Sequence, residues 1–224
     1  MPVGSSSICA LVSGGLDSAV LLHRLLRTGA RIQPLYVRSG LSWEAAEVSC
    51  LRRYLAATRT PRLAPLQLIE MPMRSLYGDG AHWSLTGRGI PGARSADAAV
   101  YLPGRNALLL THAAVFAAPR RISTLALGIL RGNPFGDATP RFFRLLAAAL
   151  TEALRHPVRL LTPLAHTSKR ELVRAASAAG LPLHLTCSCI RPRGLRHCGR
   201  CNKCAERRRA FRAARIADPT SYVR

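Results

Sequence analysis

The chain has 224 residues, and its 33 Lys and Arg against 11 Asp and Glu give a formal charge of +22. This balance excludes an acidic, calcium-buffering scaffold, and the 48% of hydrophobic residues excludes a disordered chain. Lys169 and Lys203 are its only lysines, so an arginine-favouring genome composition explains the charge as well as a nucleic-acid partner does. The length fits one domain, or one domain with a small appendage.

The cysteines and the N-terminal residues indicate the compartment. No segment has the roughly 18 consecutive apolar residues that a membrane-spanning helix requires. The first 15 residues lack both a basic region and a long apolar stretch, so we expect no signal peptide and a cytoplasmic protein. Four of the seven cysteines lie between residues 189 and 204, which in a chain without a secretion signal predicts metal ligation rather than disulfides.

The N-terminal residues predict a strand, a helix and a second strand. Residues 7–12 form an apolar run typical of a central parallel strand. Apolar residues then recur at helical spacing over 19–26, Gly29 follows as a C-cap, and residues 32–37 read as the next strand. This order is a βαβ unit.

The same alternation continues along the chain. Residues 74–104 and 131–140 are predicted loops rich in Gly and Pro, and a loop as long as the first is usually functional or mobile. Repeated alternation predicts an α/β fold, a Rossmann-like, doubly wound, mostly parallel sheet with helices on both faces. The predicted helices cover 43–58, 106–118, 142–154 and 168–179, and the further strands cover 66–71, 123–130 and 158–161.

A glycine turn separates the first strand from the first helix, at the edge of a doubly wound sheet where ligands bind. Its two glycines let backbone N–H groups surround an anion, and Ser13 and Ser18 add hydroxyl donors. Asp17 is a candidate ligand for the Mg²⁺ that accompanies a nucleoside triphosphate. The alternative is a tight turn in which Asp17 and Ser18 cap the helix. The candidate nucleotide-binding residues are Val12, Ser13, Gly14, Gly15, Leu16, Asp17 and Ser18.

This string is neither a Walker loop nor a dinucleotide-binding fingerprint. It resembles the PP-loop of the ATP pyrophosphatases, which cleave ATP to AMP and pyrophosphate while they adenylate a substrate oxygen. The resemblance implies a sheet of the adenine nucleotide alpha-hydrolase type.

Cys189, Cys198, Cys201 and Cys204 supply four thiolates within sixteen positions. Four closely spaced thiolates suit tetrahedral Zn²⁺, and a closed four-cysteine site is structural rather than catalytic. An iron–sulfur cluster is the chemical rival, although nothing else in the chain suggests redox chemistry. Cys187 is an alternative fourth ligand. We expect an ATP-binding domain over 1–182 and a zinc-binding lobe over 183–224, packed on the first domain.

The PP-loop and the cysteine cluster together resemble the 7-cyano-7-deazaguanine synthase (QueC) family along most of the chain. Residues 101–106 look like the family's Tyr-x-Pro-Gly-Arg-Asn string. Residues 162–164 and 168–171 look like its Thr-Pro-Leu and Lys-x-Glu segments. Residues 186–189 are similar to its Thr-x-Ser-Cys approach to the zinc site, which favours Cys189 over Cys187.

The resemblance implies an ATP-dependent ligase that turns 7-carboxy-7-deazaguanine and ammonia into 7-cyano-7-deazaguanine through adenylated carboxylate and amide intermediates. ATP, Mg²⁺ and Zn²⁺ are the implied cofactors, the partners are small molecules, and a homodimer is possible. Stable nucleic-acid binding and membrane binding are not expected. The candidate catalytic residues are Ser13, Asp17, Arg105 and Lys169, and the candidate substrate-binding residues are Arg105, Asn106 and Asp137.

Each candidate also has a plainer interpretation. Arg105 suits a carboxylate or a phosphate through its planar fork. Lys169 is either a phosphate ligand or an exposed helix lysine, and Asn106 either reads the base edge or caps a helix. Asp137 either recognises the N–H edge of deazaguanine or belongs to an Asx turn.

The chain departs from the family in two loops, 37–41 and 135–140, which leaves the substrate open. One alternative is a PP-loop enzyme that modifies tRNA directly, and the basic charge favours it. Another is a related ligase that attaches a deazaguanine to a different amine, such as one on a protein. A third is a zinc module that binds nucleic acid through the run 207–209, which the intact PP-loop argues against.

Overall fold

The computed structural model describes residues 6–78 and 82–223. The five strands assigned in these ranges are β1 (Ser7–Leu11), β2 (Arg31–Arg38), β3 (Gln67–Glu70), β4 (Thr124–Ala126) and β5 (Arg159–Leu161). The α-helices assigned there are α1 (Leu16–Leu26), α2 (Glu44–Ala57), α3 (Trp83–Thr86), α4 (Arg105–Ala117), α5 (Pro140–Leu154), α6 (Lys169–Ala178) and α7 (Asn202–Ala214).

The strands form one sheet in the order β3-β2-β1-β4-β5, and every neighbouring pair is parallel. Ile8 of β1 lies opposite Ile32 of β2 on one side and Thr124 of β4 on the other. The strand order changes direction between β1 and β4, and a crevice opens at the carboxyl ends of such strands. The predicted doubly wound parallel sheet is confirmed.

Helices cover both faces of the sheet. Side chains of β1 alternate, so Ile8 and Ala10 pack with α1, α2, α6 and α7, whereas Cys9 and Leu11 pack with α4 and α5. All four are buried. Burial on both faces explains why the first strand is a continuous apolar run instead of an alternating one.

Several elements differ from the sequence-based expectation. Strand β4 is shorter than the predicted 123–130, and its continuation passes the glycine turn, where a Cβ on Gly128 would lie 3.6 Å from Asp17. The predicted loop 74–104 contains α3 and a 3-10 turn at Asp97–Val100. Helix α7 was not predicted, because its stretch reads as a run of charged residues.

The C-terminal residues pack against the rest of the fold through two apolar clusters. Ala210 and Phe211 of α7 enter the core above α1 and α6, and α7 makes direct contact with α6. The cysteine-bearing segment packs on Leu41, Trp43 and Leu102. Within the described parts of the chain, every helix is too short or too polar to cross a membrane.

Candidate active site

The glycine turn lies between β1 and α1 and packs closely on α2. Gly14 has a φ of +79°, and a Cβ there would lie 2.9 Å from the carbonyl oxygen of Glu47, so only glycine fits. The Ser13 N–H donates to Ser18 Oγ at 2.9 Å, and the two hydroxyls lie 3.2 Å apart. Gly15 is the N-cap of α1 and offers no side chain to its first N–H groups. This turn therefore suits an anion, which supplies the acceptors that a capping side chain would otherwise provide.

An ion cluster joins this turn to two distant helices. Lys169 Nζ donates to Asp17 Oδ1 at 2.9 Å and Oδ2 at 3.0 Å, and it lies 3.0 Å from Glu206 Oε1. Burial opposes the charged form of Lys169, yet Asp17 and Glu206 raise its pKa above the usual value. Burial also opposes the ionised Glu206, but Lys169 and Lys203 lower its pKa to about 2. Lys169 and Glu206 therefore stay ionised, and Lys169 is the central cation of the cluster.

A cavity of about 250 Å³ opens beside the turn. Asp17 and Lys169 form one side of it, and Arg105 and Glu47 face the same space. The Nε of Arg105 is buried without a hydrogen-bond partner among the described residues. The remaining lining residues include Ser13, Gly15, Trp43, Trp83, Val100, Leu102, Cys187, Ser188, Lys203, Glu206 and Arg207.

Glu47 is the acid of this cavity that lies outside the ion cluster, and the sequence did not single it out. The Tyr36 hydroxyl donates to its Oε2 at 2.8 Å. Burial raises the pKa of Glu47 to about 7, against the opposing effects of Arg105 and of hydrogen bonds from Tyr36 and Trp43. A glutamate in the middle of a helix usually faces solvent. Only the packing of Gly14 against α2 shows that this one faces the glycine turn.

Asn106 and Asp137 bind each other instead of facing the cavity. The Asn106 N–H donates to Asp137 Oδ2 at 2.9 Å, and its side-chain amide donates to the Asp137 carbonyl oxygen at 3.2 Å and to Oδ1 at 3.3 Å. Asp137 is buried and acts as a cap for the start of α4 from a separate loop. Arg105 is the first residue of α4, so this pair fixes the position of the Arg105 backbone.

A second cavity, of about 450 Å³, adjoins the other side of Asp17 and Lys169. Its walls are more basic and include Arg131, Arg170 and Lys203. The two cavities therefore share the ion cluster as a common wall. Two different ligands can meet at the glycine turn in this arrangement.

The four predicted metal ligands come together. The Sγ atoms of Cys189, Cys198, Cys201 and Cys204 all lie within 4.8 Å of one another. The distances from Cys189 to Cys201 and from Cys198 to Cys204 are both 3.9 Å. Four sulfurs on a tetrahedral Zn²⁺, each at about 2.3 Å, would be about 3.8 Å apart. The residues present therefore fit such an ion.

Backbone N–H groups also point at these sulfurs. The Cys198 N–H donates to Cys189 Sγ at 3.2 Å, and the Cys204 N–H donates to Cys201 Sγ at 3.4 Å. Such donors stabilise thiolates, the form that binds metal. Cys187 stands apart from this group, since it lines the first cavity and its N–H donates to the Gly14 carbonyl oxygen at 2.8 Å.

The arginine run 207–209 is divided: Arg207 is buried, whereas Arg208 and Arg209 are exposed. Arg207 is 1% exposed, and its guanidinium donates to Thr186 Oγ1 at 2.8 Å and to the Leu183 carbonyl oxygen at 3.0 Å. Arg208 lies over the ring of Tyr222 at 3.9 Å. The alternative in which this run contacts nucleic acid therefore does not apply to Arg207, which binds Thr186, Leu183 and Asp218 instead.

The sheet order and the glycine turn place the chain in the PP-loop class of ATP-binding α/β proteins. Two solved structures share the fold. One, described as a predicted subunit of a tRNA methyltransferase from Methanocaldococcus jannaschii, has a TM-score of 0.50 at 17% identity, covering 77% of this chain and 74% of that one. The other, a 4-thiouridine synthetase–RNA complex with bound ATP, has a TM-score of 0.51 at 16% identity, covering 97% of this chain and 47% of that one. At these identities they show the fold alone.

The family is narrower than the fold. A family model described as "Queuosine biosynthesis protein QueC" matches residues 7–215, so the chain belongs to the QueC family. It is 34% identical to the 7-cyano-7-deazaguanine synthase of Methanoculleus marisnigri, over 97% of this chain and 99% of that protein. It is 30% identical to 7-cyano-7-deazaguanine synthase 1 of Desulfitobacterium hafniense, over 93% of each. The family predicted from the sequence motifs is confirmed.

Proposed function

We propose that this protein is an ATP-dependent carbon–nitrogen ligase that converts 7-carboxy-7-deazaguanine and ammonia into 7-cyano-7-deazaguanine. The observation that carries the proposal is one cavity in which the PP-loop residues Ser13 and Asp17 meet the free guanidinium edge of Arg105. The names of the relatives at 30–34% identity support it. They do not favour direct modification of tRNA.

The reaction needs two activations. A carboxylate oxygen attacks the α-phosphorus of ATP and pyrophosphate leaves. Ammonia then attacks the acyl carbon, AMP leaves, and the surplus proton is released, which gives the amide. The amide oxygen attacks a second ATP in the same way. Loss of AMP and of the remaining N–H protons then forms the nitrile.

The residues of the glycine turn bind ATP in this reaction. Backbone N–H groups over 14–18 and the hydroxyls of Ser13 and Ser18 bind the phosphates, since the N–H groups of Val12 and Ser13 already have partners within the protein. Asp17 would hold Mg²⁺, and the bound ion would neutralise phosphate charge. Lys169, fixed by Asp17 and Glu206, donates to a phosphate oxygen as a compact positive charge.

Arg105 binds the substrate carboxylate or the adenylate phosphate through its planar fork. Asn106 and Asp137 have a positioning part, because they hold the first turn of α4 and with it Arg105. Direct contact of these two residues with the base stays a prediction, and in the structure their polar atoms bind each other.

The four thiolates of Cys189, Cys198, Cys201 and Cys204 hold a structural Zn²⁺ in a lobe over 183–224. The site is closed, so the ion has no open position for substrate. Zinc is preferred to an iron–sulfur cluster because the proposed reaction transfers no electrons. Small molecules are the partners, and a homodimer and a cytoplasmic location stay predictions.

The test is an incubation of the purified protein with ATP, Mg²⁺, ammonium and 7-carboxy-7-deazaguanine, followed by mass spectrometry of the base and the nucleotide. We expect the nitrile, AMP and pyrophosphate, and none of them with Asp17→Ala. An unchanged base with untouched ATP contradicts the proposal. Accumulation of the amide without nitrile would instead favour a ligase for another amine. A salt titration of tRNA binding tests the basic charge separately.

A further inference from the structure

The two cavities that share Asp17 and Lys169 differ in size and chemistry. The smaller one, about 250 Å³, adds Glu47, Arg105 and two tryptophans to the ion cluster that both cavities share. The larger one, about 450 Å³, is lined by several cations and is more open. A flat bicyclic base with one carboxylate suits the first cavity, which also contains Ser13 and Gly15 of the glycine turn, so the phosphates of ATP meet the base there. The nucleoside part of ATP suits the second cavity.

We propose that the smaller cavity binds the deazaguanine ring, with Glu47 accepting hydrogen bonds from the ring N1–H and the 2-amino group. This inference rests on the proposed function and names the residue that selects its substrate. A guanine-type edge presents two adjacent N–H donors, and an ionised carboxylate presents two adjacent acceptors, so the two match as a pair. Adenine lacks the ring N–H and does not match.

The position of Glu47 is fixed from two sides. Gly14 approaches the α2 backbone so closely that a Cβ would lie 2.9 Å from the Glu47 carbonyl oxygen. The Tyr36 hydroxyl occupies part of Oε2 at 2.8 Å. The carboxylate is therefore held beside the phosphate-binding turn with acceptor capacity left over for a ligand.

Arg105 faces the same cavity and completes the match. It favours the ionised form of Glu47 electrostatically, yet no ion pair within 4.0 Å joins the two side chains. Both side chains line the same cavity of about 250 Å³. In 7-carboxy-7-deazaguanine the carboxylate is on the five-membered ring and the N1–H edge is on the six-membered ring. Two different side chains of one cavity, Arg105 and Glu47, can therefore bind them separately.

The aromatic wall supplies the third element. Trp43 and Trp83 are stacked with ring centroids 5.8 Å apart and an interplanar angle of 13°. Trp43 is buried, whereas Trp83 is partly exposed and lines the cavity. A flat heterocycle extends such a stack on its open face. Asp137, the acid that the sequence suggested for the N–H edge, has its carboxylate occupied by Asn106.

The test uses the two tryptophans of the chain, both of which line this cavity, as a fluorescence probe of binding. The ligands are 7-carboxy-7-deazaguanine and its analogue that lacks the 2-amino group. We expect Glu47→Gln to weaken binding of the first ligand about tenfold to hundredfold and to leave ATP binding unchanged. Glutamine keeps the acceptor for Tyr36, so the loss reports the ligand contact. Glu70→Gln, at an exposed site, is the matched control and should bind like the wild type.

The analogue tests the same contact without any mutation. Wild-type protein should bind it about tenfold more weakly than the aminated base, and Glu47→Gln should discriminate much less between the two. Equal binding of both ligands by the wild type, or undiminished binding by Glu47→Gln, overturns the inference while conversion of the base still supports the proposed function. A wild-type protein that neither binds nor converts the base overturns both.

Discussion

Lys169 and Asp17 are 152 residues apart in the chain, and their side chains make a two-point contact at 2.9 and 3.0 Å. Lys169 is the first residue of α6, where a cation meets the positive end of the helix dipole. Burial and this dipole both oppose the positive charge of Lys169. The carboxylates of Asp17 and Glu206 offset both effects. The protein keeps a cation beside the phosphate-binding turn although burial and the helix dipole both disfavour it. This indicates that Lys169 serves function more than stability.

Lys169→Ala is expected to lower kcat/KM for ATP by about 100- to 1000-fold, as loss of a charge that stabilises a transferring phosphoryl group does. The measurement is release of pyrophosphate. Lys203→Ala is the matched control, because Lys203 lies 2.7 Å from the same Glu206 and has no ion pair with Asp17. A loss of equal size in both variants would mean that the charge of the cluster matters and the contact with Asp17 does not.

The parts of this site that form short contiguous motifs could be predicted from the sequence. The parts that depend on packing between distant segments could not. The glycine turn was visible because its string lies directly after an apolar strand. Lys169 was visible through a short motif, but its partner Glu206 belongs to a helix that reads as charged. Hydrophobic periodicity cannot reveal a helix whose buried face includes Asn202, Cys204 and Arg207.

Two further residues show why the rest was out of reach. Glu47 faces the cavity because Gly14 packs on α2, a contact set by the tertiary fold. Asp137 stands out in a loop by its charge, but its partner at the start of α4 is 31 residues away. A single sequence gives the type of an acidic residue and leaves open whether a ligand or a backbone N–H faces it.

Cys201→Ser is expected to lose the metal and most of the correctly folded protein, because loss of a ligand at a structural site is loss of folding energy. Metal analysis and the yield of folded protein check this. Cys9→Ala is the control, because Cys9 is a buried residue of β1 that packs against α4 and does not belong to the cysteine cluster. This variant should retain the metal. Metal-free Cys201→Ser protein with normal stability would refute the structural role.

Asp137→Ala is expected to lower the free energy of unfolding by about 1–2 kcal/mol, because it removes the acceptors for the first turn of α4. Urea denaturation measures this change. The exposed Asp97→Ala should stay within about 0.5 kcal/mol of the wild type. A large rise in KM for the base without any change in stability would instead support the contact with the base that the sequence suggested.

Arg207→Met is expected to destabilise the protein by about 3 kcal/mol, because it removes the buried guanidinium that donates to Thr186 Oγ1 and to the Leu183 carbonyl oxygen and that neutralises Asp218. Denaturation in urea measures the change, and Arg209→Met, at an exposed position of the same helix, is the control. Equal stability of the two variants would show that Arg207 is replaceable by packing alone.

Glu47 predicts the pH dependence of base binding. Burial raises its pKa to about 7, with Arg105, Tyr36, Trp43 and Glu44 as the charged or polar groups that act on it. The ionised form is the one that accepts two N–H donors, so affinity for 7-carboxy-7-deazaguanine should rise about tenfold between about pH 6 and about pH 8. Fluorescence titration measures binding directly and avoids the titration of ammonia, which would distort rates. Glu47→Gln should remove the dependence.

The raised pKa of Glu47 makes the stability of the protein change with pH in the opposite direction to base binding. The folded state binds a proton at Glu47 more tightly than the unfolded chain, whose glutamates titrate near 4.5. The free energy of unfolding should therefore fall as the pH rises from about 4.5 to about 7, and this contribution should be absent in Glu47→Gln. Affinity that increases while stability decreases over overlapping pH ranges would identify one carboxyl group as the source of both. A binding profile that is flat in the wild type would exclude Glu47 as the acceptor.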